Sequence, residues 1–317
     1  MKIADISEKQ LRQKIQALRT WVWGDNLDEP KIDRWLENFS NTSFKSGTIT
    51  LQEQKFLGLF LLSCCTFFNL RELRAMIRAL YRDLVEYPAI QRIKRENQGI
   101  SLRDASKLLQ TELSNTRFVP VGNPSESGAH ILYYFRQENK LKVDHFLQGI
   151  DIMKLGLKGN KLRHPQVKHY IFIDDICGSG SQARDYGKHI CGLLRKSNNN
   201  IKTTFLALVA TKDGLKEAQQ GGYDNCASLF SLDDSFRVFE KKSRYFELYD
   251  DGPVQRERLK ELAIWYGSKL MKSDPLGKFG GQLLLSFAHN TPNNTLPIFW
   301  SNKNGWSPVM QRFGKSL

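Results

Sequence analysis

The stretch that most constrains this chain is HYIFIDDICGSGSQARDYGKHI, residues 169–190. Tyr170 to Ile173 form a short, unbroken apolar run, the pattern of a strand buried on both faces of a parallel sheet. Two acids follow, Asp174 and Asp175, then the small-residue loop Gly178-Ser179-Gly180-Ser181, then a helical segment. In doubly wound sheets ligands bind beyond the carboxyl ends of the strands. A strand over 170–173 therefore sets both acids just past its end, at the binding edge. The helix behind the loop offers unpaired backbone N–H groups and a partial positive charge. Gly178 and Gly180 allow a tight turn and close approach, and Ser179 and Ser181 add hydroxyls. Together these features make a cradle for a monophosphate. Carboxylates would repel that phosphate, so they point to another part of the same ligand: vicinal hydroxyls, or a Mg²⁺ held through Asp174 and Asp175. The competing reading is a plain strand-to-helix turn with Asp175 as a cap. No Lys follows the glycines, so the loop is not a Walker A motif.

The rest of the chain supplies the frame. Residues 1–113 read as helical, a domain of their own. Ser7 and Thr50 stand as N-caps, the latter with Glu53 three residues on. From about residue 114 to 317 the periodicity changes to alternating strands and helices, an α/β domain with a mainly parallel sheet. TRFVPVG and HILYYFRQ are read as strands around the turn NPSESGA, KTTFLALVAT as a buried strand, and 254–271 as a helix. The apolar segment 56–70 is too short to span a bilayer, so no membrane partner is expected. The N-terminus has no signal-peptide core, which points to the cytoplasm. Five cysteines without a CxxC pair read as reduced thiols, and Cys177 as a small loop residue.

The net charge of +14 is spread through the chain: 18 basic against 13 acidic residues in 1–110, and 29 against 20 thereafter. It favours a phosphate-bearing partner, nucleic acid above all, or marks a merely basic protein. On the helix of residues 70–93, Leu73, Met76, Ile77, Leu80 and Leu84 share one side and Arg71, Arg74, Arg78 and Arg82 the other. That stripe is either a solvated, ion-paired face or a phosphate-tracking one. Residues 154–169 carry Lys158, Lys161 and Arg163 in a run almost free of acids, a solvated loop or a contact to nucleic acid.

IFIDDICGSGSQA resembles the phosphoribosyl-pyrophosphate signature of type I phosphoribosyltransferases, with Gly178 in place of the first hydroxyl residue and Gln182 in place of the final Thr. Together with GQLLLSFAHNTPNNTLPIFW, it is similar to the phosphoribosyltransferase-like effectors of bacterial anti-phage systems, including those associated with retrons. The resemblance covers about the last two-thirds of the chain. It implies a type I phosphoribosyltransferase sheet, ribose hydroxyls on Asp174 and Asp175, and a 5′-phosphate on residues 177–182. It further implies pyrophosphate on the loop GNPSESG, through Ser125, Ser127 and Gly128, unless that loop is an ordinary turn. The basic run before the signature strand would correspond to a flap. His289, Asn290, Asn293 and Asn294 would meet a base or ribose edge, or else form a structured turn.

The implied ligand is phosphoribosyl pyrophosphate or a nucleotide, with Mg²⁺. The implied partner is nucleic acid or a reverse transcriptase–RNA/DNA ribonucleoprotein, and a homo-oligomer is compatible. Three roles stay open: an enzyme released from inhibition on infection, a non-catalytic nucleotide sensor, and a ribonucleoprotein-docking module.

Overall fold

The computed structural model describes residues 2–24, 27–40, 49–122, 127–154 and 161–313. The chain divides into two compact units, Met1–Leu73 with Asp233–Leu317, and Arg74–Leu232. The boundary expected at 113/114 thus falls inside the second unit. The helices of residues 1–73 share one core with the last third of the chain, so an all-helical N-terminal domain is not what the fold displays.

In the first unit, helices α1 (Glu8–Leu18), α2 (Glu29–Glu37) and α3 (Leu51–Ser63) precede a short strand β1 (Thr66–Phe68). Ser7 and Thr50 cap α1 and α3 as their sequence positions imply, each side chain accepting a bond from the N–H three residues on. Trp35, Phe39, Tyr266, Phe299 and Trp306 form an aromatic cluster in the core. The carbonyl of Ile298 accepts both indole N–H groups, from Trp35 at 2.6 Å and Trp306 at 2.9 Å. Those paired bonds let two tryptophans be buried without an orphaned donor.

The next helix, α4 (Leu70–Tyr81), carries the chain into the second unit, followed by α5 (Tyr87–Glu96) and α6 (Leu102–Ser114). The sheet of that unit is wholly parallel. Its strands are β2 (Thr116–Pro120), β5 (His169–Cys177), β6 (Lys202–Thr211) and β7 (Asn225–Leu232), in the order β2-β5-β6-β7. Between β2 and β5 lie helix α7 (Ser127–Glu138) and a two-residue antiparallel pair, β3 (Met153–Lys154) and β4 (Lys161–Leu162). Helix α8 (Ser181–Ser197) follows β5 and α9 (Lys212–Gln219) follows β6. Val119, Phe172 and Phe205 are cross-strand partners on one face, packed with Ala183, Ile190, Cys191 and Leu194 of α8. Phe118 lies on the opposite face against Phe135 of α7 and Tyr81 of α4.

HILYYFRQ, expected as a strand, lies in α7. Ile131, Leu132 and Phe135 are buried and Tyr133 is exposed, which is helical spacing and not alternation. Aromatic content favours a strand only where a pleated surface is there to receive it.

The chain then returns to the first unit through α10 (Gly252–Leu270), β8 (Leu285–Phe287) and the single-turn α11 (Pro297–Trp300). GQLLLSFAH contributes three residues to β8, which pairs in parallel with β1. Among the described residues, no helix is long and apolar enough to cross a membrane.

Candidate functional site

The strand of the signature runs farther than its apolar stretch. β5 continues through both acids to Cys177, so Asp174 and Asp175 lie within the strand and not beyond it. Both are buried. Successive side chains in a strand point to opposite faces. Asp174 is therefore on the α8 side with Phe172, and Asp175 on the side of Ile173. The neighbouring strand β2 ends at Pro120, and Val121 N–H donates to the Ile173 carbonyl at 3.1 Å. Past that point the carboxylates accept from the strand itself: Asp175 N–H donates to Asp174 Oδ1 at 3.0 Å, and Ile176 N–H to Asp175 Oδ1 at 2.8 Å. These bonds provide partners for charges taken out of water.

The loop after Cys177 is shaped by its glycines. Gly180 adopts φ +76° as the residue before α8. A Cβ there would lie 2.2 Å from the carbonyl oxygen of Gly214, in the first turn of α9. A Cβ on Gly214 would in turn lie 2.4 Å from the Gly178 carbonyl oxygen and 2.5 Å from that of Cys177. Thr211 joins the two segments. Its hydroxyl donates to the Gly178 carbonyl at 2.5 Å and accepts from Gly214 N–H at 2.8 Å, capping α9. Arg184 of α8 adds a salt bridge to Glu217 of α9. On the loop, the Ser179 and Ser181 hydroxyls are 3.0 Å apart. Gln182 is exposed at the helix start.

Gly128 is buried in the first turn of α7. A Cβ on it would come within 2.8 Å of the Val121 carbonyl oxygen and 3.4 Å of that of Ile173. The absence of a side chain lets the start of α7 sit against the ends of β2 and β5. Helices α7, α8 and α9 thus all begin at the carboxyl edge of the sheet, directing their N-terminal partial charges toward it.

Cys177 is buried, and burial first, with Asp174 second, pushes its thiol well above the ordinary range. It stays protonated at neutral pH and is a packing residue. Among the described residues no cluster of three or more His, Cys, Asp or Glu gathers to hold a metal ion.

The other residues singled out from the sequence are dispersed. Ser125 and Lys158 lie outside the described residues, and Ser127 contributes its backbone to α7. Lys161 and Arg163 are exposed in and beside β4, with Arg163 paired to Asp151 at 3.0 Å. Arg74 and Arg78 both pair with Glu138 of α7, and Arg74 also covers the ring of Tyr134 at 4.7 Å. Arg82 pairs with Asp83, while Arg71 is exposed. His289, Asn290, Asn293 and Asn294 belong to the first unit, whereas the acids and loop belong to the second. There Asn290 Oδ1 accepts from Thr291 N–H and Phe313 N–H, both at 3.0 Å, and Asn294 Nδ2 donates to the Lys278 carbonyl. These are the bonds of a structured turn.

Sequence reading missed Thr211 and Gly214, which build the back of the loop. Their signal is faint: a threonine ending an apolar strand, with a glycine three residues on.

The PRTase-CE family's sequence profile matches residues 32–312. Among solved structures, the chain is similar to the xanthine-guanine-hypoxanthine phosphoribosyltransferase of Helicobacter pylori, at 9% identity and a TM-score of 0.28, covering 53% of this chain and 88% of that one. It is also similar to the AQ2163 protein from Aquifex aeolicus, at 13% identity and a TM-score of 0.25, covering 65% and 86%. No curated protein matches it.

Proposed function

The chain belongs to the PRTase-CE family, and on that premise we propose that the carboxyl edge of its parallel sheet binds a ligand built on ribose 5-phosphate. The observation that carries the reading is the loop 178–180, pressed backbone to backbone on Gly214 and followed at once by a 17-residue helix. A loop so fixed aims the first N–H groups of α8 at one point, which suits a phosphate. Residues 178–182 take the 5′-phosphate and the acids of β5 take the ribose hydroxyls. Gly128 and the segment before it take a pyrophosphate on the N-terminus of α7.

The donor set fits Mg²⁺ only as a companion of the substrate: two carboxylates on opposite faces of one strand make no cage, whereas Mg²⁺ commonly rests on one or two carboxylates plus substrate phosphates. Asp174 or Asp175 would meet it, and when bound it would neutralise charge on the leaving pyrophosphate. The residues themselves act by position. The acids orient the sugar ring and stabilise positive charge growing at its anomeric carbon, while α8 anchors the far end. The acceptor is a small nucleophile or, on the same scaffold, the reaction is glycosidic cleavage of a nucleotide or nucleic acid.

The biological reading that goes with this chemistry is an effector of a retron-type anti-phage system, held inactive by a reverse transcriptase–RNA/DNA partner. It rests on the likeness of DDICGSGSQ and HNTPNNTLP to such effectors and on the basic charge. A sensor that binds a nucleotide without turnover uses the same pocket and is the second reading. Asp174→Asn with Asp175→Asn separates them. Expressed without its partner, the wild-type chain should change the cellular nucleotide pool and arrest growth, and the double variant should do neither. Growth arrest that persists in the double variant would overturn the catalytic reading.

A further inference from the structure

Two of the four non-glycine residues with positive φ among the described residues lie in one loop of the first unit, Gly277–Gln282. They are Phe279 at 56° and Gln282 at 53°. A bulky residue in the left-handed region is a real outlier, and it persists only where its surroundings over-determine it. The surroundings here do so. Lys278 N–H donates to the Asn293 carbonyl at 2.8 Å, and Asn294 Nδ2 to the Lys278 carbonyl at 3.0 Å. Phe279 N–H donates to Asp274 Oδ1 at 2.9 Å, and Arg237 Nη2 to the Gly280 carbonyl at 3.0 Å. Gln282 closes the loop, its Oε1 accepting from Phe239 N–H at 3.1 Å. Asn293 through its backbone carbonyl and Asn294 through its side chain thus brace this loop.

All that fixing does not bury the ring. Phe279 is 60% exposed, so the strained backbone is not offset by packing. Instead the ring stands beside cations. Lys278 Nζ is 5.3 Å from its centroid, and Arg237 is held one residue away. Among the described residues neither Lys278 nor Arg237 has a carboxylate partner. A presented aromatic face with two uncompensated cations matches one ligand chemistry well: a nucleobase to stack, with phosphates to either side.

We propose that the loop 277–282 is a stacking platform for single-stranded nucleic acid. Phe279 receives a base, Lys278 and Arg237 meet the adjoining phosphates, and Asn293 and Asn294 hold the loop in its strained form. The platform lies in the first unit and does not depend on the reading given to Asp174 and Asp175. A protein hot spot would instead seat its aromatic in a desolvated pocket, more often as Trp, Tyr or Arg.

The test is fluorescence anisotropy of the full chain with labelled oligo(dT) and oligo(rU) of about 15 nucleotides, at about 50 and 200 mM salt. Phe279→Ala should weaken binding roughly tenfold or more at both salts, and Phe279→Trp should restore it to within about threefold. Lys278→Gln with Arg237→Gln should lower the salt slope by about 1.4, two phosphates' worth. Phe279→Asn tolerates the left-handed backbone and should lose binding while melting no lower than the wild type. Wild-type affinity in both Phe279→Ala and Phe279→Asn, or no oligonucleotide binding by the wild-type chain, would overturn the proposal. Loss of a protein partner with oligonucleotide affinity intact would overturn it as well.

Discussion

Gly180 and Gly214 meet backbone to backbone, with no room for a methyl group on either: the nearest oxygens would lie 2.2 and 2.4 Å from the added carbon. Gly180 also needs φ +76°, which an L side chain adopts only at a cost. The loop that follows the acids therefore has one shape, set by α9 behind it. Gly180→Ala should destabilise the chain by roughly 2–4 kcal/mol, from strain and overlap together. Gly214→Ala, with overlap alone, should cost about 1–3 kcal/mol. Urea unfolding measures both. No loss at either position would mean the two segments separate readily.

Thr211 tests the same relationship from the side chain. Thr211→Val keeps the shape but removes both the cap on Gly214 N–H and the bond to the Gly178 carbonyl. A lost cap costs about 1 kcal/mol, and a partly buried carbonyl left without its donor adds to that. Amide exchange of α9 and of residues 178–182 should accelerate together in this variant. Faster exchange confined to α9 would show that Thr211 acts as a cap only.

These relationships mark what the sequence could and could not disclose. The apolar run, the two acids and the small loop were legible because each is local: a strand, a turn and a helix start leave their own residue patterns. The length of β5 was not, since polar residues inside a buried strand look like its end. Nor was α7, whose aromatics suit either period until packing selects one. The regrouping of residues 1–73 with 233–317 rests on contacts between distant segments, such as the pairing of Thr66–Phe68 with Leu285–Phe287, which no local pattern announces. The asparagine block admitted both a ligand reader and a structured turn because its amides are versatile, and the Asn290 and Asn294 side chains bond the backbone around them.

His169 gives the fold a pH dependence at the opposite, amino end of β5. Its Nε2 is 2.9 Å from Thr204 Oγ1, and burial lowers its pKa to about 4, with the nearby charges of Glu112, Lys202, Asp224 and Arg92 partly offsetting one another. The unfolded chain binds this proton near the ordinary value of 6.5. Between these two values the unfolded state holds more protons, so stability falls as pH drops through that window. The loss should reach on the order of 2–3 kcal/mol near pH 4 and be absent above pH 7. His169→Gln keeps a group able to bond Thr204 and should flatten that part of the stability curve. An unchanged slope between about pH 4 and 6.5 would assign the dependence to other groups.

Asn294 should prove structural by a stability measurement. Its side chain is buried and bonded to the Lys278 carbonyl, so Asn294→Ala should cost about 1–3 kcal/mol. A change below about 0.5 kcal/mol would remove the amide from the scaffold of the 277–282 loop.

Calorimetry tests most directly whether the acids of β5 and the loop after them bind a ribose 5-phosphate ligand. Phosphoribosyl pyrophosphate with Mg²⁺ is titrated into the full chain and into Asp174→Asn, Asp175→Asn and Gly180→Ala. One ligand should bind per chain, and each variant should weaken it by about tenfold or more, as expected for lost charge-assisted bonds or a displaced loop. No heat of binding with the wild-type chain, or the same affinity in all three variants, would contradict the account.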